Sequence, residues 1–122
     1  MARILVIDDD LQLRKLLCKI LKDNQDHEVY DAANGRQGLE LIGQQSIDLV
    51  VTDIFMPQED GLGIIMEIHD NFPEIKIIAI SGGGSIEDMD FLKLASHLGA
   101  QKVFQKPLDN AAFLATVKEM LQ

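Results

Sequence analysis

Three consecutive aspartates, Asp8-Asp9-Asp10, follow directly on the apolar run Ile4-Leu5-Val6-Ile7, and a fourth, Asp53, ends a second such run that starts at Ile47. Each charge therefore stands where a strand buried on both faces would stop. Pro57, four residues after Asp53, cannot donate to a sheet, so the chain should leave the sheet just past Asp53 and hold its carboxylate at the strand's C-terminal lip. Ser81 closes the Ile-rich run from Ile75, and Lys106 follows the short apolar pair Val103-Phe104 and precedes Pro107. If these ends meet, the carboxylates of Asp8, Asp9 and Asp53 repel one another. At about 4 Å and an effective dielectric near 20, each pair costs roughly 4 kcal/mol before relaxation. Such a cluster calls for a cation, and a few hard oxygen donors with open positions suit Mg2+. Lys106 adds a positive charge and Ser81 a hydroxyl donor. Metal, ammonium and hydroxyl would then surround the three oxygens of a phosphoryl group, with Asp53 as the nucleophile that becomes an aspartyl phosphate. Taken singly, each residue has a plainer use: acids before a helix complement its dipole, an aspartate marks a turn, and a serine caps a strand. Convergence at one edge is what favours the chemical reading.

That convergence depends on the order of the elements. Leu13, Leu17, Ile20 and Leu21 repeat at helical spacing, with Leu16 widening the stripe and Asp10 as N-cap, and give a first helix to about Asn24. Glu28 to Ala33 reads as a second strand, closed by Asn34-Gly35, and Leu39, Leu41 and Ile42 mark a short helix ending at Gly43. Ile47 to Asp53 is the third strand. Asp60-Gly61 opens a helix carrying Leu62, Ile65, Met66 and Ile68 that stops near Asn71, ahead of Pro73. Ile75 to Ser81 is the fourth strand, Ile86 to Leu98 the fourth helix, Val103-Phe104 the core of the fifth strand, and Asp109 caps a last helix bearing Phe113, Leu114, Val117, Met120 and Leu121. Strands alternating with helices over short connections predict a parallel five-stranded sheet with helices on both faces and right-handed crossovers. The expected fold is the flavodoxin-like (βα)5 three-layer sandwich of strand order 2-1-3-4-5, in which ligands bind at the C-terminal edge of the strands. Asp8, Asp9, Asp53, Ser81 and Lys106 all fall on that edge.

Composition narrows the function classes. A chain of 122 residues that is 47% apolar suits one domain, residues 1–122, with a self-sufficient core. No signal peptide or membrane span fits the short apolar runs, so a cytoplasmic location is expected. Cys18 is the single cysteine and reads as a half-buried helix residue. A formal charge of −9 without a basic cluster argues against direct binding to nucleic acid or to an acidic membrane. His27, His69 and His97 have no ligand-like spacing.

The stretches ILVIDDD with Arg14 beyond it, DLVVTDIFMPQEDG, IIAISG and GAQKVFQKP span essentially the whole chain and resemble the receiver domain of two-component response regulators. The resemblance implies that Asp53 accepts a phosphoryl group from a histidine kinase or histidine phosphotransfer protein. It implies Mg2+ bound directly by Asp9, Asp53 and the backbone carbonyl of Phe55, and by Asp8 through water. Ser81 would hydrogen-bond the phosphoryl group and Lys106 would pair with it, with a cis peptide before Pro107. Helix four, strand five and helix five would then meet a downstream protein target, while helix one and the loop after Lys106 meet the kinase. Such a domain is a phosphoacceptor with weak intrinsic phosphotransfer and autodephosphorylation, not a metabolic enzyme. No output domain is expected after the last helix, so effects are expected to travel by docking. The sequence departs from the family in three places. Val103 occupies the usual aromatic switch position, with Phe104 expected to face the opposite way. Gly82 replaces the usual alanine, and the glycine-rich loop to Ser85 is expected to carry the switch. Phe55 and Gly83 flank the expected phosphoryl position.

Phe55 also bears on the alternatives. A phosphatase of the haloacid-dehalogenase type needs a second aspartate two residues after its nucleophile, and Phe55 stands there. A nucleotide or flavin module needs a phosphate-cradling loop after strand one, where this chain has three aspartates; Gly82-Gly83-Gly84 lacks the Gly-Lys-Ser/Thr of a P-loop, and Gly61-Leu62-Gly63 lacks the third glycine of the dinucleotide fingerprint. The alternative that stays open is an interaction-only pseudo-receiver that never takes phosphate.

Overall fold

The structure, a computed structural model, describes residues 2–25, 27–56, 59–82 and 86–122. Pro57, Gly83 and the remainder of the glycine-rich loop lie outside the described residues, as does the expectation that this loop carries a switch. Five strands form the main sheet: β1 (Arg3–Ile7), β2 (Glu28–Ala32), β3 (Leu49–Asp53), β6 (Lys76–Ser81) and β7 (Lys102–Gln105). They are parallel throughout, in the order β2-β1-β3-β6-β7, which is the expected 2-1-3-4-5. Four helices connect them, α1 (Leu11–Gln25), α2 (Gly35–Gln44), α3 (Gly61–Asn71) and α4 (Ile86–Leu98), and α5 (Asn110–Met120) follows the last strand.

Strand alternation divides the core in two. Ile4, Val6, Val51, Ile78 and Ile80 face α1 and α5, where they meet Leu17, Leu21, Phe113 and Val117. Leu5, Ile7, Val50, Ile77 and Ala79 face the other way, against Ile42, Ile65, Ile68, Leu92 and Ala95 of α2, α3 and α4. With both faces covered, β3 is buried along its whole length, as its unbroken apolar run required. Such a strand can end only where its polar groups find partners, and β3 ends at Asp53.

Local chemistry sets the helix starts. Asn34 accepts a hydrogen bond from the Gln37 N–H at the head of α2, and Asp109 accepts one from the Ala112 N–H at the head of α5. Gly61 begins α3 because the backbone of Ile54 passes directly over it: a Cβ there would lie 2.6 Å from the Ile54 Cα. One element was not anticipated. Between Asp53 and α3 the chain forms a small antiparallel hairpin of β4 (Phe55–Met56) and β5 (Glu59–Asp60), which is too short to leave a periodic signal in the sequence.

Candidate functional site

The three aspartates after β1 have three different roles. Asp8 donates its N–H to the Ala32 carbonyl at 3.1 Å and so extends the sheet by one residue, which buries its carboxylate. Its Oδ1 accepts the Asp10 N–H at 2.9 Å. Asp9 is exposed. Asp10 turns away to cap α1, its Oδ1 accepting the N–H groups of Gln12 at 3.0 Å and Leu13 at 3.3 Å. The capping reading of this run holds for Asp10, while Asp8 and Asp9 stay turned to the strand edge.

Asp53, the last residue of β3, is 4% exposed and has both carboxylate oxygens engaged. Oδ1 accepts the Phe55 N–H at 2.9 Å and Oδ2 accepts the Lys106 ammonium at 2.9 Å. Lys106 reaches this point from just past β7, where its own N–H donates to the Ser81 carbonyl at 2.8 Å and its peptide bond to Pro107 is cis. The same ammonium lies 3.7 Å from Asp8 Oδ2. Ligand oxygens of Asp8, Asp9 and Asp53 all lie within 4.8 Å of one another, a potential cation cluster among the described residues. Ser81, at the end of β6, is fully buried.

Electrostatics follow from this packing. Burial pushes the Asp8 carboxyl up from 3.8 to about 6, and the charges of Asp53 and Asp9 add to the effect, while the Asp10 N–H and Lys106 oppose it. Burial draws the Lys106 ammonium down, but its hydrogen bond to Asp53 and the charges of Asp53, Asp8 and Asp10 outweigh that and hold it above its ordinary value. Among the described residues the buried polar side chains are Asp8, Thr52, Asp53 and Ser81. Two of their atoms, Asp8 Oδ2 and Ser81 Oγ, have no hydrogen-bond partner. Leaving such an atom unsatisfied costs about 1–3 kcal/mol, and native proteins rarely do so without reason. Here both atoms belong to one strand edge. Carboxylate oxygens, one of them buried without a hydrogen-bond partner and a single ammonium facing three acids among the described residues, fit a hard divalent cation such as Mg2+.

A family model described as the response regulator receiver domain matches residues 4–118. This chain belongs to that family. Its receiver fold is shared with a response regulator receiver domain protein from Clostridium thermocellum, 31% identical, with a TM-score of 0.86 over 98% of this chain and 94% of that one. The receiver domain of NtrC4, solved in solution as a beryllofluoride-activated dimer, is also 31% identical, with a TM-score of 0.87 over 98% and 96% of the two chains. The transcriptional regulatory protein GlrR of Escherichia coli (strain K12) is 31% identical over 121 residues, which are 99% of this chain and 26% of GlrR. The chain thus spans about a quarter of the length of the curated relatives it matches. Among the described residues, no helix of this receiver domain is long and apolar enough to cross a membrane.

The structure brings together Asp8, Asp9, Asp53 and Lys106, and sets Ser81 beside Lys106 through the backbone. Phe55 joins them through its N–H. Val103 lies at the wall of a cleft of about 550 Å3 between α4 and β7 that Leu92 and Ser96 also line. The ring of Phe104 packs edge-on against Phe113 of α5, with centroids 5.8 Å apart, on the opposite face as alternation required. Sequence reasoning gave no role to Arg14. Its guanidinium donates to the Asp8 carbonyl at 2.9 Å and to Asp31 Oδ2 at 2.8 Å, so it ties the aspartate run to β2. The spacing of Arg14 one helical turn past Asp10 was the available signal, but the partner on β2 was not.

Proposed function

We propose that this receiver domain, residues 1–122, is a phosphoacceptor, with Asp53 taking a phosphoryl group from the phosphohistidine of a histidine kinase or histidine phosphotransfer protein. An Asp53 carboxylate oxygen bonds to phosphorus as the phosphorus–nitrogen bond breaks, and the departing imidazole takes up a proton. The observation that carries the reading is the pairing of a buried, ammonium-bound Asp53 with two unspent polar atoms, Asp8 Oδ2 and Ser81 Oγ, at the same edge. Asp9, Asp53 and the Phe55 carbonyl would hold Mg2+ directly and Asp8 would hold it through water. When bound, the ion supplies positive charge to the transferring oxygens. Lys106 pairs with one phosphoryl oxygen in exchange for its bond to Asp53, and the Ser81 hydroxyl donates to another. Turnover is weak and self-catalysed, as suits a cytoplasmic signalling domain rather than a metabolic enzyme. Phosphorylation changes how the domain binds a downstream protein, through neither nucleic acid nor membrane contact of its own.

Incubation with Mg2+ and acetyl phosphate is expected to add one phosphoryl mass to the wild type and none to Asp53→Ala. Mg2+ at a hundredfold excess over its dissociation constant should stabilise the fold by about 2.7 kcal/mol, reversed by EDTA. An unmodified wild-type mass with Mg2+ bound, repeated with a phosphorylated histidine donor, would favour the pseudo-receiver instead.

A further inference from the structure

Phe55 faces two ways. Its N–H holds Asp53 Oδ1, while its ring meets that of Phe91 edge-to-face, with centroids 5.0 Å apart and planes at 84°. Phe91 lies in the second turn of α4 and packs against the core beneath α2, α3 and α4, whereas Phe55 is 38% exposed. Phe91 is thus the fixed member of the pair and Phe55 the member it holds. β4 and β5 are only two residues each, so the ring contact adds to a short backbone pairing of Phe55 with Asp60.

We infer that Phe91 is a positioning residue for the acidic site: its ring fixes Phe55, and through Phe55 the backbone beside Asp53, so that the state of the site and the packing of α4 are linked. The inference rests on the phosphoacceptor reading and deepens it. A backbone already held in place loses less freedom when a ligand binds, so the ring contact favours occupancy of the site. Linkage is reciprocal, so occupancy must stabilise the contact and with it the middle of α4. The link also differs in route from a switch at β7, where Val103 offers no ring to move.

The test is a double-mutant cycle on the whole chain, read by calorimetric titration of beryllofluoride in saturating Mg2+. The variants are Phe55→Leu, Phe91→Leu and the double substitution, with Leu94→Ala, exposed on the same helix, as control. Leucine keeps apolar bulk and removes only the ring geometry, and thermal melts verify folding. Each single variant is expected to bind beryllofluoride about two- to tenfold more weakly, the scale of one aromatic pair. The double variant should lose no more than the weaker single, and the control should match wild type. Amide exchange around Phe91 should slow on beryllofluoride binding in the wild type and not in Phe91→Leu. Additive losses, or unchanged affinity in folded variants, would overturn the link while leaving the phosphoacceptor reading intact. A wild type that binds Mg2+ but no beryllofluoride would overturn both.

Discussion

The Asp8 carboxylate offers the sharpest test of the site's electrostatics. It is 1% exposed, one of its oxygens has no hydrogen-bond partner, and its carboxyl is pushed from 3.8 to about 6 by burial first and by its acidic neighbours second. A carboxyl that binds its proton more tightly folded than unfolded stabilises the fold at low pH. As pH rises from about 4 to above 6, the folded state must release a proton it holds better than the unfolded chain does, so stability falls through that window and then levels. The interval corresponds to roughly 3 kcal/mol. Asp8→Asn keeps an acceptor for the Asp10 N–H and removes the charge. In EDTA at pH 8 the variant should therefore be about 2–3 kcal/mol more stable than wild type, near 10 °C in melting temperature for a domain of this size. The advantage should vanish below pH 4. Urea unfolding followed by circular dichroism across pH 4 to 8 measures it, and adding Mg2+ should reverse the ranking, because the wild type gains a ligand the variant has lost. A metal-free Asp8→Asn no more stable than wild type at pH 8 would refute the claim that this carboxylate is held against its own desolvation.

Three further substitutions probe the supports of the site. Lys106→Gln leaves Asp53 Oδ2 without its cation at 2.9 Å, and should cost about 2 kcal/mol in EDTA, below the usual 3–5 for a buried pair because the lysine is a quarter exposed; Mg2+ should bind more tightly, since its competitor for the acids is gone, as titration would show. Gly61→Ala forces a methyl against the Ile54 backbone, so about 1–3 kcal/mol of stability should be lost in urea unfolding, together with slower phosphorylation by acetyl phosphate as the segment after Asp53 shifts. Asp109→Ala removes the cap on the Ala112 N–H and should cost about 1 kcal/mol without altering Mg2+ affinity, which separates general stability from the site.

How far the chain could be read in advance follows from where each signal lies. The parallel sheet, its order and the edge bearing Asp8, Asp9, Asp53, Ser81 and Lys106 were legible because a buried strand must be an apolar run, and the residue that ends it is adjacent in the sequence. Given right-handed crossovers, adjacency in sequence is enough to place all the strand ends on one edge. Other features depend on contacts between residues far apart in the chain. Asp8, Asp9 and Asp10 look alike in sequence, and only the β1–β2 pairing and the start of α1 make one buried, one exposed and one a cap. The reach of Arg14 to Asp31, the burial of Ser81 Oγ without a partner and the meeting of Phe55 with Phe91 arise across separate elements, where no periodicity or spacing records them. The sequence by itself determined which chemistry gathers at the sheet edge. Tertiary structure decided which of its atoms are satisfied and which are buried without a partner, because desolvation and hydrogen bonding are properties of the packed neighbourhood rather than of the residue.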